Sequence, residues 1–220
     1  MTNSVRRAVI VMAKRPHAGR TKTRLTPALT PEQAADLYER LLLDTLELVR
    51  SRPDCSTIIA IDRPESGPYF ESIAPGVPQI LQVGPALGDR LDAVMSAALD
   101  QGFASVFALS SDSPDLPVAH LDDAFAALEP DEVDVVLGPT EDGGYYLIGW
   151  KQRFSPLVTD VEMSTPRVFD DTMKIADGLG LTVRTAPRWY DVDTPADLPR
   201  LQASLGGRPD SRTAQFLAGL

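Results

Sequence analysis

"AVIVMAKRPHAGRTKTRL", residues 8–25, joins an unbroken apolar run to a loop holding Lys14, Arg15, Arg20, Lys22 and Arg24 and no carboxylate. A short apolar run rich in β-branched residues suits a strand covered on both faces, as in a parallel sheet. In an open α/β sheet, ligands gather outside the carboxyl ends of the strands. A loop that follows the first strand lies at that edge, where its cations can meet a phosphate chain. Gly19 would let the backbone come close to such a chain. Lys22 and Arg24 are two residues apart, so an extended segment would point both to one side. Lys14, Gly19, Arg20, Lys22 and Arg24 are therefore candidate nucleotide- or phosphate-binding residues. A solvated basic loop is the competing reading, and the lack of any balancing acid weighs against it. Neither the Walker phosphate loop nor the G-x-G-x-x-G dinucleotide fingerprint is present.

The same kind of run returns along the chain. Ser56–Ile61, Gln79–Val83, Ser105–Leu109, Val133–Gly138, Tyr145–Trp150 and Leu181–Thr185 read as further strands. Helical spacing fills the gaps. Thr30-Pro31-Glu32-Gln33 is a capping box with proline in the first turn, followed by Ala34, Leu37, Tyr38, Leu41 and Leu48 at helical intervals. Leu91–Ala98 and Leu121–Leu128 form two more helices. Ser164-Thr165-Pro166 and Thr194-Pro195-Ala196-Asp197 read as the starts of two others. Strands alternating with helices predict an α/β fold with a βαβ sheet.

Net charge of -10 over 220 residues argues against a general nucleic-acid binder and against an anionic membrane surface. The single cysteine, Cys55, permits no disulfide within the chain and no cysteine metal site. No apolar stretch approaches the roughly 20 residues of a membrane helix. "MTNSVRR" leads into too short a run for a secretion signal. The expected location is the cytoplasm.

Acidic motifs follow later strands. In "ALSSDSPDL", Asp112 stands at a strand's carboxyl edge, suited to a hard divalent cation. Ser113 or Asp115 would cap the helix after Pro117, with Asp115 alternatively touching a sugar. In "WYDVDTPADL", Asp191 and Asp193 alternate, so an extended segment would send both carboxylates to one side. Like charges so placed call for a cation. Two solvated loop aspartates are the alternative, and Asp112 tips the balance towards metal. "TEDGG" reads as a turn between strands. Gly143 and Gly144 could admit a substrate near the backbone, and Glu141 or Asp142 could act as a base. Gly88, Asp89 and Arg90 open a helix and are candidate phosphate or ribose contacts.

Taken together, "VIVMAKRPHAGRTKTRLTPALTPEQAADLYERLLLDTL", "SSDSPDLP", "LGPTEDGGYYLIGW" and "DVDTPADL" resemble a bacterial glycosyltransferase-like family of the nucleotide-diphospho-sugar transferase, or GT-A, fold. Its relatives include 2-phospho-L-lactate guanylyltransferase and the molybdenum-cofactor nucleotidyltransferases. The guanylyltransferase shares the "KTRL" loop and the "DVDTPADL" phrase. The resemblance implies a three-layer, Rossmann-like fold with a mostly parallel sheet and helices on both faces. It would occupy residues 1–205 as one domain. Residues 206–220, Gly-containing and polar at first, read as a partly loose tail in which Phe216 and Leu217 could dock. It also implies Mg²⁺ or Mn²⁺ held by Asp112, Asp191 and Asp193, and an acceptor contact at Ser164. The expected activity is metal-dependent transfer from a nucleotide sugar to a small-molecule acceptor. Lys22 and Arg24 would neutralise the leaving nucleoside diphosphate. The alternatives are nucleotidyl transfer from an NTP to a phosphorylated small acid, and nucleotide binding without catalysis.

Overall fold

A computed structural model describes residues 6–220. The reading of the first residues as no secretion signal falls partly on residues 1–5, outside the described part. The apolar run becomes β1 (Arg7–Met12), and alternate residues of it serve two cores. Val9 and Val11 join one apolar cluster, Ala8 and Ile10 the other. All four are fully buried, which is why the run shows no polar alternation.

Around β1 lie β2 (Ser56–Ile61), β3 (Gln79–Leu81), β4 (Ser105–Ser110), β5 (Val135–Pro139), β6 (Tyr145–Trp150) and β7 (Val183–Thr185). The sheet has the order β3-β2-β1-β4-β6-β5-β7. β6 is antiparallel to β4 and β5, and the other pairings are parallel. On one face lie α1 (Pro31–Arg50), α2 (Gly67–Ile73) and α4 (Val118–Leu128). On the other lie α3 (Leu87–Asp100), α5 (Pro156–Thr159) and α6 (Val168–Gly178). This is the expected three-layer α/β architecture with a mostly parallel sheet. Among the described residues no helix is long and apolar enough to cross a membrane.

The capping box at α1 forms as expected. Gln33 N donates to Thr30 Oγ1 at 3.2 Å, and Thr30 N donates to Gln33 Oε1 at 2.9 Å. Two other helix starts differ from expectation. α4 begins after Pro117 with no side-chain cap, because Ser113 and Asp115 bond to residues 189–191 instead. α6 begins at Val168 rather than at Thr165. Ser164 has a left-handed backbone (φ 65), which breaks the helical path, and Phe169 N donates to Gly143 O.

The chain closes with α7 (Leu198–Ser204) and α8 (Arg212–Ala218). A third apolar cluster gathers Leu25 and Leu29, Leu37 and Leu41 of α1, Tyr190, Val192, Leu201 and Leu205. Phe216 and Leu217 pack against it, so the tail does dock. Asp44, buried on α1, accepts from Arg212 N at 3.1 Å and Thr213 N at 2.8 Å. It thereby satisfies two of the free amides at the start of α8. Asp44→Ala should cost about 1–3 kcal/mol of stability in urea unfolding, the range for stranding buried donors. Amide exchange should accelerate across Arg212–Ala218; unchanged protection there would show that α8 is held by its apolar side alone.

Candidate functional site

The basic loop is built as a tight turn tied down at both ends. Lys14 N donates to Tyr38 Oη at 3.2 Å, and that hydroxyl lies 3.0 Å from Ser111 Oγ. The start of the loop is thus fastened to the segment after β4. Arg20 N and Thr21 N both donate to His17 O, and Gly19 takes φ 73. A side chain at Gly19 would meet nothing within 4 Å, so glycine is needed here for backbone conformation and not for close approach. Lys22 follows in a left-handed conformation, φ 48 and ψ 40, before a 3₁₀ turn at Thr23–Leu25. The expected extended segment is therefore absent. Leu25, fully buried in the third apolar cluster, pulls the chain down.

The turn separates the two cations expected to act together. Lys22 points inward with 6% of its side chain exposed, and Arg24 points out with 69% exposed. Lys22 Nζ lies 2.7 Å from Asp112 Oδ1 and 2.8 Å from Asp193 Oδ1. Arg24 reaches Asp193 Oδ2 only at 3.5 Å. The two acidic segments are themselves linked, since Val192 N donates to Asp112 O at 3.0 Å. Val192 is fully buried between Asp191 and Asp193, so the alternation read from sequence is present. Asp191 takes a different partner: Ser113 Oγ lies 2.9 Å from its Oδ1 and 2.9 Å from Tyr190 O.

The ionisation of the cluster follows from burial and from these pairs. For Lys22 burial acts to lower the pKa, but Asp112 and Asp193 together outweigh it and raise the pKa further above its usual value. Burial acts against the Asp193 anion, and the Lys22 ammonium overcomes it, holding that carboxyl below its usual range. Asp191 has no such partner in contact. Burial first, and then the Asp112 charge, push it up to about 7.

Lys14, Arg20, Lys22, Thr23, Arg24, Asp112 and Asp193 line a cleft of about 170 Å³. Among the described residues Lys14 and Arg20 make no ion pair, so they are the uncommitted cations of the cleft. A larger hollow, about 380 Å³, lies between α1 and α2 beside Arg212. Arg50 and Arg212 both line it, and Arg212 is paired with Asp44 and Glu47. Among the described residues no group of three or more His, Cys, Asp or Glu stands arranged around one metal position. Lys22 lies between Asp112 and Asp193, and Ser113 bonds to Asp191.

Several other expected site residues have structural work here. A side chain at Gly88 would come within 1.9 Å of Val158 O, so this glycine lets α3 pack on α5. Asp89 Oδ2 accepts from Ala86 N, and Arg90 donates to Gly84 O and Pro85 O. These bonds shape the loop before α3, and none of the three residues lines the cleft. Asp142 Oδ1 accepts from Thr140 Oγ1 at 2.5 Å and Gly144 N at 3.2 Å, closing the β5–β6 turn. Gly143, at φ 93, abuts Pro166 O, which a Cβ would approach within 2.0 Å. The space expected for a substrate is filled there by the chain itself, and Gly144 sits beside Thr140. Glu141 accepts from Arg200 Nη1 at 2.7 Å, and that hydrogen bond keeps its carboxyl below the usual range. Ser164 is exposed and away from the cleft lining. Asp115 accepts from Tyr190 Oη at 2.6 Å and Trp189 Nε1 at 3.4 Å, which fixes the segment leading to Asp191. Ser111 and Thr23 carry no signal in the sequence, and Tyr38 and Ser113 read there as a helix-face residue and a helix cap rather than as parts of this site.

The same fold occurs in several solved structures. A protein from Desulfovibrio desulfuricans, described as a candidate nucleotide-diphospho-sugar transferase, has TM-score 0.90 at 28% identity, covering 97% of this chain and 94% of that one. CMP:2-keto-3-deoxy-manno-octonic acid synthetase in complex with CTP has TM-score 0.61 at 14% identity, over 92% and 99%. Glucosyl-3-phosphoglycerate synthase from Mycobacterium tuberculosis, solved with Mn²⁺, UDP and glucosyl-3-phosphoglycerate, has TM-score 0.55 at 12% identity, over 98% and 80%. The last two, at such identities, share the fold alone. No curated protein matches the chain. A family model matches residues 45–165, from the last third of α1 to the turn before α6. That span includes Asp112 and leaves the basic loop and the Asp191–Asp193 segment outside. On this match the chain belongs to the bacterial family described as "Uncharacterized protein conserved in bacteria (DUF2064)".

Proposed function

We propose that this protein is a transferase that uses a nucleotide-activated donor, with a nucleotide sugar as the donor and a small molecule as the acceptor. One observation carries the reading. Cations of the basic loop and the carboxylates Asp112 and Asp193 line one cleft at the carboxyl edge of the parallel strands, the edge where such sheets bind ligands. The 28% identical fold relative described as a candidate nucleotide-diphospho-sugar transferase supports the donor class.

In this reading Lys14 and Arg20, without an ion pair among the described residues, grip the donor phosphates. Arg24, exposed at the rim, meets charge that builds on the leaving diphosphate. Asp112, Asp191 and Asp193 are hard oxygen donors of the kind that suit Mg²⁺ or Mn²⁺, and we assign them as ligands. Such an ion, once bound, neutralises phosphate charge as a Lewis acid. The Mn²⁺ in the fold relative from Mycobacterium tuberculosis supports this choice of ion. Glu141, held in its charged form by Arg200, is a weak base, so we give it a part in positioning the acceptor rather than in taking its proton.

A second reading, nucleotidyl transfer from an NTP to a phosphorylated acid, has its own support. Lys14, Arg20, Lys22 and Arg24 all line the cleft, and so many cations suit a triphosphate and its pyrophosphate product. The "KTRL" and "DVDTPADL" phrases, shared with 2-phospho-L-lactate guanylyltransferase, support it too.

Incubation with a panel of nucleotide sugars, NTPs and small acceptors should release nucleoside diphosphate and no pyrophosphate. Pyrophosphate from an NTP would move the assignment to nucleotidyl transfer. Tight nucleotide binding in a thermal-shift screen, with no turnover of any donor, would leave a binding protein. Asp193→Asn should lower turnover by on the order of 100-fold or more, since a lost metal ligand removes several kcal/mol of transition-state stabilisation. Its circular dichroism should match wild type. Near-normal turnover in this variant would remove Asp193 from the metal set.

A further inference from the structure

We infer that Lys22 is a place-holder cation: its ammonium stands between Asp112 and Asp193, where a divalent ion would sit, and it leaves only when a divalent ion and donor phosphates enter together. The inference rests on the metal-dependent reading above and adds to it a coupling between the two ligands.

The geometry motivates it in three ways. First, Asp112 and Asp193 are two-thirds buried and converge on one ammonium, at 2.7 and 2.8 Å. Carboxylates brought together in a half-buried place require a cation, and Lys22 already supplies one. The acidic segments are joined beside it, since Val192 N donates to Asp112 O. Second, Lys22 holds its post from a left-handed backbone, φ 48, a conformation unfavourable for a residue with a Cβ. Strain of that kind persists only where surrounding contacts over-determine it. Here those contacts are the two carboxylates and the buried Leu25. Third, the way out is short. Lys22 lines the same cleft as Lys14, Arg20, Thr23 and Arg24, so rotation about its flexible stem carries the ammonium from carboxylate oxygens towards bound phosphate.

Electrostatics then makes the two ligands depend on each other. A divalent ion arriving alone must expel a monovalent ammonium that has nowhere anionic to go. Phosphates arriving alone would draw Lys22 off two carboxylates and leave them uncompensated. When both arrive, each cation finds an anion. Such coupling is reciprocal: phosphate tightens metal binding by the same factor as metal tightens phosphate binding.

The test uses the full chain, Mn²⁺ followed by electron paramagnetic resonance, and inorganic pyrophosphate as the phosphate probe. Lys22→Met should bind Mn²⁺ alone at least about tenfold more tightly than wild type, because the competitor is gone. Asp193→Asn in the same background should abolish that gain and so locate the ion. Wild type that binds Mn²⁺ alone as tightly as Lys22→Met would overturn the place-holder while leaving the metal reading intact. Absence of Mn²⁺ binding in both proteins, with and without pyrophosphate, would bring down the metal reading and this inference with it. Because Lys22→Met can lose stability, a second measurement uses wild type. The Lys22 ammonium, shielded from solvent, should give an NMR cross-peak that persists with Mg²⁺ alone or pyrophosphate alone and shifts or disappears with both. Its displacement by Mg²⁺ alone, or its survival with both, would refute the coupling.

Discussion

A small apolar cluster holds the charged end of this protein together. Leu25 and Leu29 from the basic loop, Leu37 and Leu41 from α1, and Tyr190 and Val192 from the acidic segment share one core. Each such side chain contributes roughly 1.5–3 kcal/mol on burial. That driving force brings a loop of cations and a pair of aspartates, far apart in sequence, to the same corner of the sheet edge. Charge attraction alone would not do so with precision, since exposed ion pairs stabilise by at most about 1 kcal/mol. The apolar cluster sets the distance, and the charges then decide which side chains turn inward.

Once the segments meet, burial sorts the charges. Lys22 is the cation that goes in, and two carboxylates keep it charged there. Asp191, buried near the Asp112 charge and bonded to a serine hydroxyl, is left with a proton affinity far above its usual value. Arg24 stays in solvent, and Lys14 and Arg20 line the cleft with no ion pair among the described residues. The corner therefore contains an interior in which one ammonium bridges two carboxylates and a mouth lined by cations, an arrangement that suits an anionic ligand entering from outside.

The polar residues around this corner illustrate how glycine and aspartate can signal either chemistry or architecture. Asp89, Asp142 and Asp115 all stand near strand ends or helix starts, where ligand contacts are common. Each bonds instead to a neighbouring amide or hydroxyl. Gly88 and Gly143 both lie against a carbonyl of their own chain. In each case a nearby backbone or side-chain group competes for the position that a ligand was expected to take, and it wins because it is always present.

Local rules were enough for the α/β architecture. β1, β2 and β6 follow directly from apolar runs that can be stable only when covered on both faces, and α1 follows from its capping box and helical spacing. The short helices α2, α5 and α8 were not legible, because a helix of one or two turns is stabilised by what it packs on rather than by its own sequence. Asp44, which anchors α8, gives no hint of this from its own neighbours. In the candidate site the sequence marked the basic loop and Asp112, Asp191 and Asp193 as a charged set, since charge without a local partner is visible in one dimension. It also marked the alternation that buries Val192 between two aspartates. It misjudged Lys22 and Arg24, because the rule of alternate residues pointing one way holds only in extended chain. Burial of Leu25 and a left-handed turn at Lys22 broke that condition. Which ammonium pairs with which carboxylate was decided only in three dimensions, where desolvation makes a single contact of less than 3 Å outweigh every preference the local sequence expresses.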